Sequence, residues 1–167
     1  QEGCQVGIVH AAEPQDHFFP AYREHLVARV RGVPFVQVAA QFRGLTHGGW
    51  DVTDPAHGNF HLYTLVLGAQ TQHATGLALG QLLDAKRRAG DTALDPGEPG
   101  ASTGEATVVF YGDGTSSQGD ANESMVFAAS YQTPQVFVVQ NNRWAISVPV
   151  ARQSRTPLYR RALGFGI

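Results

Sequence analysis

Two apolar runs in the second half of the chain, Val108-Val109-Phe110-Tyr111 and Val136-Phe137-Val138-Val139, are uninterrupted by polar residues. Short β-branched and aromatic runs of this kind predict strands buried on both faces, as in a parallel sheet. Between them Met125, Ala128 and Ala129 recur at helical spacing, and Asp120 with Glu123 three positions on has the form of a capping box. That pattern predicts a helix starting near Asp120 and ending before Pro134. Strand, helix and parallel strand then deliver Gly112-Asp113-Gly114 and Asn141-Asn142 to the same edge of the sheet. Gly112 and Gly114 predict a turn with backbone conformations that a Cβ would forbid.

Elsewhere the pattern is more broken. Val6, Ile8 and Val9 fit the tail of a helix closed by Pro14, and 16–20 reads as a loop. Leu26, Val27 and Val30 follow helical spacing from Tyr22 to Gly32, with Arg23 at the start, and 34–42 predicts a second short helix. The stretch 43–60, rich in Gly, His and Asp, has the composition of a surface or active-site loop. Residues 63–67 predict a short buried strand leading into a long helix that reaches about Ala89. Gly68, Ala69, Ala74, Gly76, Ala78 and Gly80 would let that helix pack closely on the sheet or on another subunit. Residues 90–105 read as an exposed connection, and Arg152, Arg155, Arg160 and Arg161 mark a basic region after Ser147. The sum is one α/β domain over 1–167, a parallel sheet flanked by helices.

Composition narrows the function classes. A net charge of −2 in 167 residues, with a pI near 6.4, gives no basic surplus for nucleic acid or for an anionic membrane. No apolar run approaches the ~18 residues of a membrane-spanning helix. The single cysteine, Cys4, excludes an intrachain disulfide and fits a reducing compartment. One lysine against eleven arginines, with abundant Ala, Gly and Pro, suggests GC-rich coding and hence a bacterial cytoplasm. The chain opens at Gln1 without a methionine, so a fragment of a longer subunit is expected. His57 and His61 lie four apart without an intervening Glu, and no zinc site is expected from them.

The chemistry concentrates at the two loops. Ligands of open parallel sheets sit outside the carboxyl ends of the strands, which is where Asp113 and Asn142 fall. One carboxylate and one amide oxygen are a poor metal site alone. Magnesium, however, commonly takes one or two carboxylates while substrate phosphates and water complete its shell, so the expected ligand is a diphosphate. A dinucleotide site fits less well: Gly112-x-Gly114 continues to Gly119 instead of completing Gly-x-Gly-x-x-Gly, and the second strand ends in Asn-Asn where an acidic residue is expected. There is no P-loop motif.

Gly112-Asp113-Gly114, twenty-six residues, then Asn141-Asn142 resembles the cofactor motif of thiamine-diphosphate enzymes. The longer stretches Gly112-Asp113-Gly114-Thr115-Ser116-Ser117-Gln118-Gly119-Asp120 and Gln140-Asn141-Asn142-Arg143-Trp144-Ala145-Ile146-Ser147 resemble the alpha subunit of the decarboxylating component of 2-oxo acid dehydrogenase complexes. The resemblance implies the thiamine-diphosphate-binding fold, with Mg²⁺ held by Asp113, the Asn142 side chain and the Trp144 main-chain carbonyl. It implies cofactor contacts from Gly112, Gly114 and Thr115, and from Tyr22 and Arg23 to the diphosphate. Leu65 and Leu67 match a segment at the pyrimidine end, where the residue matching Leu67 wedges the two rings into a V. The implied reaction is oxidative decarboxylation of a small 2-oxo acid, pyruvate or branched-chain, with acyl transfer to a lipoyl-bearing acyltransferase. The pyrimidine-activating glutamate is expected on a separate beta subunit, in a heterotetramer. Alternatives are an acetoin dehydrogenase alpha subunit and a non-catalytic assembly subunit with a relict cofactor site.

Overall fold

The computed structural model describes residues 1–45, 49–90 and 103–167. The connection expected over 90–105 lies largely outside the described residues. In chain order the elements are α1 (Glu2–Ala11), β1 (His17–Phe19), α2 (His25–Val30), α3 (Phe35–Phe42), α4 (Ala69–Arg88), β2 (Thr107–Gly112), α5 (Gly119–Tyr131), β3 (Gln135–Gln140), β4 (Trp144–Ala145), β5 (Val148–Pro149), α6 (Val150–Gln153) and α7 (Leu158–Phe165). Short 3₁₀ turns occupy Pro55–His57 and Thr115–Ser117.

The strands β1, β2 and β3 form one parallel sheet with β2 in the centre. Alternation along β2 sorts the core into two layers, since successive side chains leave opposite faces. Val108 and Phe110 join Val9, Phe18, Val27, Val33, Val38 and Phe60 on the face covered by the N-terminal helices, while Val109 meets Phe19 and Ala74 of α4 on the other. Both faces of the central strand are therefore dry, as its unbroken apolar run predicts. At the β3 edge burial falls off, and Val136 is half exposed.

Four expectations are corrected. Residues 16–20 contain a strand, not a loop. His17 N–H donates to Ala106 O, and β1 pairs in register with Thr107, Val108 and Val109; its three residues are too short to show alternation. The strand expected at 63–67 is absent. Tyr63 is buried, but Leu65 and Val66 are about 72% and 71% exposed, and the strand-like pairing falls earlier, where Asn59 O accepts from Phe18 N–H and His61 N–H donates to Phe18 O. Apolar side chains at 65–67 mark a surface and not a core.

The capping box is not made either. Helix α5 starts at Gly119 behind Gln118, with no side-chain cap, and Asp120 lies in its first turn, where Gln72 Nε2 approaches its carboxylate at 3.4 Å. A carboxylate there still favours the positive end of the helix dipole. Finally, the Gly112-Asp113-Gly114 turn does not use forbidden backbone conformations. Gly112 is not among the positive-φ residues, and Gly114 has φ −60° and ψ −40°. Gly114 is required for closeness instead: a Cβ on it would stand 2.8 Å from the Ala145 Cβ.

Candidate cofactor and metal site

Because the three strands are parallel, their carboxyl ends open on one side, and each is followed by residues of a single cleft of about 510 Å³. Ala21, Tyr22, Arg23 and Glu24 follow β1. Gly112, Asp113, Gly114 and Thr115 follow β2, and Asn142, Trp144, Ala145 and Ile146 follow β3. Leu67 completes one wall at the start of α4. Its position is set from below: Gly68 takes φ +106°, its N–H donates to Gln70 Oε1, and Gln70 Nε2 donates to Phe110 O in the buried centre of β2. Leu65 does not line the cleft, whereas Tyr22, Arg23, Leu67, Gly112, Asp113, Gly114, Thr115, Asn142 and Trp144 all do.

Asp113 is 2% exposed at the floor. Its main-chain carbonyl accepts from Ser116 N–H and Ser116 Oγ, closing the turn (3.2 and 2.6 Å). Its Oδ2 accepts from Gln153 Nε2 at 2.9 Å, and Oδ1 receives no hydrogen bond from the described residues. Across the cleft, Asn142 Oδ1 accepts from Trp144 N–H (3.0 Å) and Asn141 Oδ1 accepts from Arg143 N–H (2.8 Å), so the two asparagines shape their own loop as Asx turns. An amide oxygen so engaged retains a second lone pair for a cation.

Arg23 is the one guanidinium lining the cleft among the described residues. No carboxylate pairs with it among the described residues; it reaches Tyr22 OH at 3.2 Å and lies over the Tyr22 ring. The neighbouring Glu24, the obvious partner in sequence, turns inward. Glu24 is 2% exposed and accepts from the N–H groups of Ala21 (2.8 Å) and Arg23 (3.2 Å) and from Gln140 Nε2. It thereby ties the end of β1 to the end of β3 above β2. Burial pushes its carboxyl above the usual range, against the opposing hydrogen bonds from Arg23 N–H, Gln140 and Ala21 N–H.

Sequence reasoning missed Glu24, Gln140 and Gln153. Gln140 directly precedes the Asn-Asn pair, which was a usable signal; Gln153, from a helix with no buried residue, gave none. The described histidines stand apart from the cleft. His17 Nδ1 and His61 Nε2 are 3.1 Å apart, and His61 stacks on Phe19. Burial first, and then the charges of His17 and His73, lower its pKa to about 4. No group of three potential metal-binding His, Cys, Asp or Glu side chains occurs among the described residues.

The residues present fit a divalent cation carried with a phosphate ligand. Asp113 offers a buried carboxylate with one oxygen free of hydrogen bonds, Asn142 offers an amide oxygen, and among the described residues neither sulfur nor imidazole lines the cleft. That is a hard, oxygen-only and incomplete donor set, the kind magnesium occupies together with phosphate oxygens. The charge balance agrees: among the described residues the cleft is lined by one arginine and by the carboxyl groups of Asp113 and Glu24, so a diphosphate needs added positive charge to enter.

Fold and cleft together define an α/β protein with a polar cleft at the carboxyl edge of a parallel sheet. The sequence profile of the Dehydrogenase E1 component family matches residues 1–167. The chain belongs to that family. It is 39% identical over its whole length to the 3-methyl-2-oxobutanoate dehydrogenase subunit alpha of Mycobacterium tuberculosis, of which it covers 40%. It is 33% identical to the pyruvate dehydrogenase E1 component subunit alpha of Bacillus subtilis (40% covered) and 32% identical to that of Acholeplasma laidlawii (43% covered). The chain thus spans about two fifths of the length of these relatives. No described helix is long and apolar enough to cross a membrane.

Proposed function

We propose that this chain supplies the diphosphate- and metal-binding half of a thiamine-diphosphate site in the alpha subunit of a 2-oxo acid dehydrogenase. The observation that carries the reading is the convergence of Asp113, Asn142, Trp144 and the unpaired Arg23 on one cleft. Asp113 and the Asn142 side chain would hold Mg²⁺, with the Trp144 main-chain carbonyl as a third ligand. Arg23 would hold phosphate oxygens, for which a planar guanidinium suits two parallel hydrogen bonds. Leu67 would set the angle between the rings. When bound, the cofactor supplies a carbanion-stabilising ring that absorbs the electrons released as carbon dioxide leaves.

This chain's share is to bind, orient and exclude water. Tyr22 and Arg23 grip the polyanion, Glu24 and Gln140 lock the strand ends beneath them, and Leu67 orders the organic part. The described cleft holds no exposed carboxylic acid suited to activating a pyrimidine: Glu24 is buried and engaged by backbone N–H groups. The acid then comes from a beta subunit in a heterotetramer, and the acyl group passes to a lipoyl-bearing acyltransferase. The relatives' names favour a branched-chain 2-oxo acid or pyruvate as substrate, and the single cysteine with bacterial relatives supports a cytoplasmic setting.

The test is decarboxylation of a panel of 2-oxo acids, and of acetoin, with an artificial electron acceptor. The full-length alpha subunit is assayed alone and then with its beta partner. Turnover of one 2-oxo acid only in the mixture is expected. Turnover of acetoin alone would move the assignment to acetoin dehydrogenase, absence of turnover with intact cofactor binding would mark a relict site, and turnover by the alpha subunit alone would refute the split site.

A further inference from the structure

Gln153 sits at the end of α6, forty residues from Asp113 in sequence, yet it is the side chain that holds the Asp113 carboxylate. Its Nε2 donates both to Asp113 Oδ2 (2.9 Å) and to the Val148 carbonyl (3.1 Å). Both partners can only accept, so the orientation of the amide is dictated by chemistry: the NH₂ group must face them. Its Oε1, buried and without a partner among the described residues, is left on the other side. Among the described residues Oδ1 of Asp113 is thus left free of hydrogen bonds, whereas Oδ2 is held in place by the amide and has to share its lone pairs with it.

That difference bears on which cation fits. Calcium accepts bidentate carboxylates in a loose shell of six to eight oxygens, whereas magnesium demands near-octahedral geometry at short distances and is bound through few protein oxygens. We propose that Gln153 is a positioning residue that keeps Asp113 monodentate and so biases the site toward Mg²⁺ over Ca²⁺. The proposal rests on the thiamine-diphosphate reading above. Groups in contact with a metal-binding side chain commonly change metal affinity ten- to a hundredfold when removed.

The experiment titrates thiamine diphosphate into the full-length alpha–beta complex with Mg²⁺ or Ca²⁺ as the only divalent ion, following tryptophan fluorescence. Wild type is compared with Gln153→Met, which keeps the volume and loses the amide. Gln153→Glu is run beside it, keeping length and polarity but turning the donor into an acceptor. Helix α6 buries no residue, so both variants should fold, and thermal melts without metal confirm it. We expect Mg²⁺-supported binding to weaken on the order of tenfold or more in both variants, Ca²⁺-supported binding to weaken less, and the Mg²⁺-to-Ca²⁺ ratio to fall. A merely structural role would weaken both ions in parallel. An unchanged ratio in either folded variant overturns the proposal and leaves the cofactor reading standing, whereas wild type that binds thiamine diphosphate equally well without any divalent ion refutes the cofactor reading itself.

Discussion

The loops after β2 and β3 look alike in sequence, an apolar run followed by small and polar turn residues, yet they are built in opposite ways. After β2, Asp113, Thr115 and Ser116 are each 2% exposed, and the turn is closed by hydrogen bonds from Ser116. After β3, Trp144 is 56% exposed and Ile146 fully exposed, and the loop is held by two Asx turns and the short β4–β5 pair. It also carries two non-glycine residues at positive φ, Arg143 at 73° and Ile146 at 55°, the second a β-branched residue for which that region is costly. One wall is fixed by the interior of the domain; the other is local, strained and open. A site divided in this way has the Asp113 carboxylate set in the interior and Asn142 and Trp144 carried on an exposed, locally held loop.

The largest effect should come from breaking the buried wall. Asp113→Ala is expected to abolish the Mg²⁺-dependent part of thiamine diphosphate binding, because the polyanion loses the bridge that neutralises it; calorimetric titration of the full complex with and without Mg²⁺ checks this. Acid should loosen the same wall from behind. His61 holds the segment paired to β1, and its folded pKa of about 4 lies below the ordinary 6.5. Between those values the unfolded chain binds a proton that the folded one refuses, so His61's contribution is complete above pH 6.5 and is lost as pH falls toward 4. The loss is at most about 3 kcal/mol. Unfolding of wild type and His61→Phe at pH 7.5 and pH 5 should show a shallower acid slope in the variant, and equal slopes would remove His61 from the account.

Arg23→Ala should weaken the cofactor by about 1.5–3 kcal/mol, roughly ten- to a hundredfold, with an unchanged melting temperature. A fall in stability of the same size would make Arg23 structural instead. Gly114→Val should cost about 1–3 kcal/mol of stability, as overpacking does, because it drives the two walls apart at Ala145. Gly112→Ala, where a Cβ meets nothing within 4 Å, should stay within about 0.5 kcal/mol. Equal melts for the two would deny the close approach of the walls. The smallest effect belongs to the open wall. Ile146→Gly trades relief of a positive φ against extra freedom in the unfolded chain and should change stability by no more than about 0.5 kcal/mol, so a large loss on chemical denaturation would show that the loop is more deeply built than its exposure indicates.

The parts of this structure that were legible in the sequence are those with a local signature. The unbroken apolar runs of β2 and β3, the helix between them and the turn residues after each run placed Asp113 and Asn142 at one sheet edge. The three-residue β1 had no such signature, because His17-Phe18-Phe19 alternates too briefly, and its identity as a strand comes from pairing with residues about ninety positions away. Residues 63–67 misled for the converse reason: Leu65, Val66 and Leu67 are apolar, but tertiary context leaves them at the surface beside the cleft. Glu24, Gln140 and Gln153 escaped notice because their roles are long-range hydrogen bonds, and no spacing rule connects residue 24 to 140 or 113 to 153. The glycine of the Gly-Asp-Gly turn was rightly singled out, but for the wrong physical reason, since contact with Ala145 rather than backbone φ requires it.

The central claim is that this cleft holds a diphosphate through a divalent cation on the buried β2 wall. It is tested most directly by titrating thiamine diphosphate into the full alpha–beta complex in Mg²⁺ and in chelator, with inorganic diphosphate as competitor. The account predicts saturable binding in Mg²⁺ that inorganic diphosphate displaces and that chelator removes. Binding of equal affinity in chelator, or binding that inorganic diphosphate leaves untouched, would contradict it.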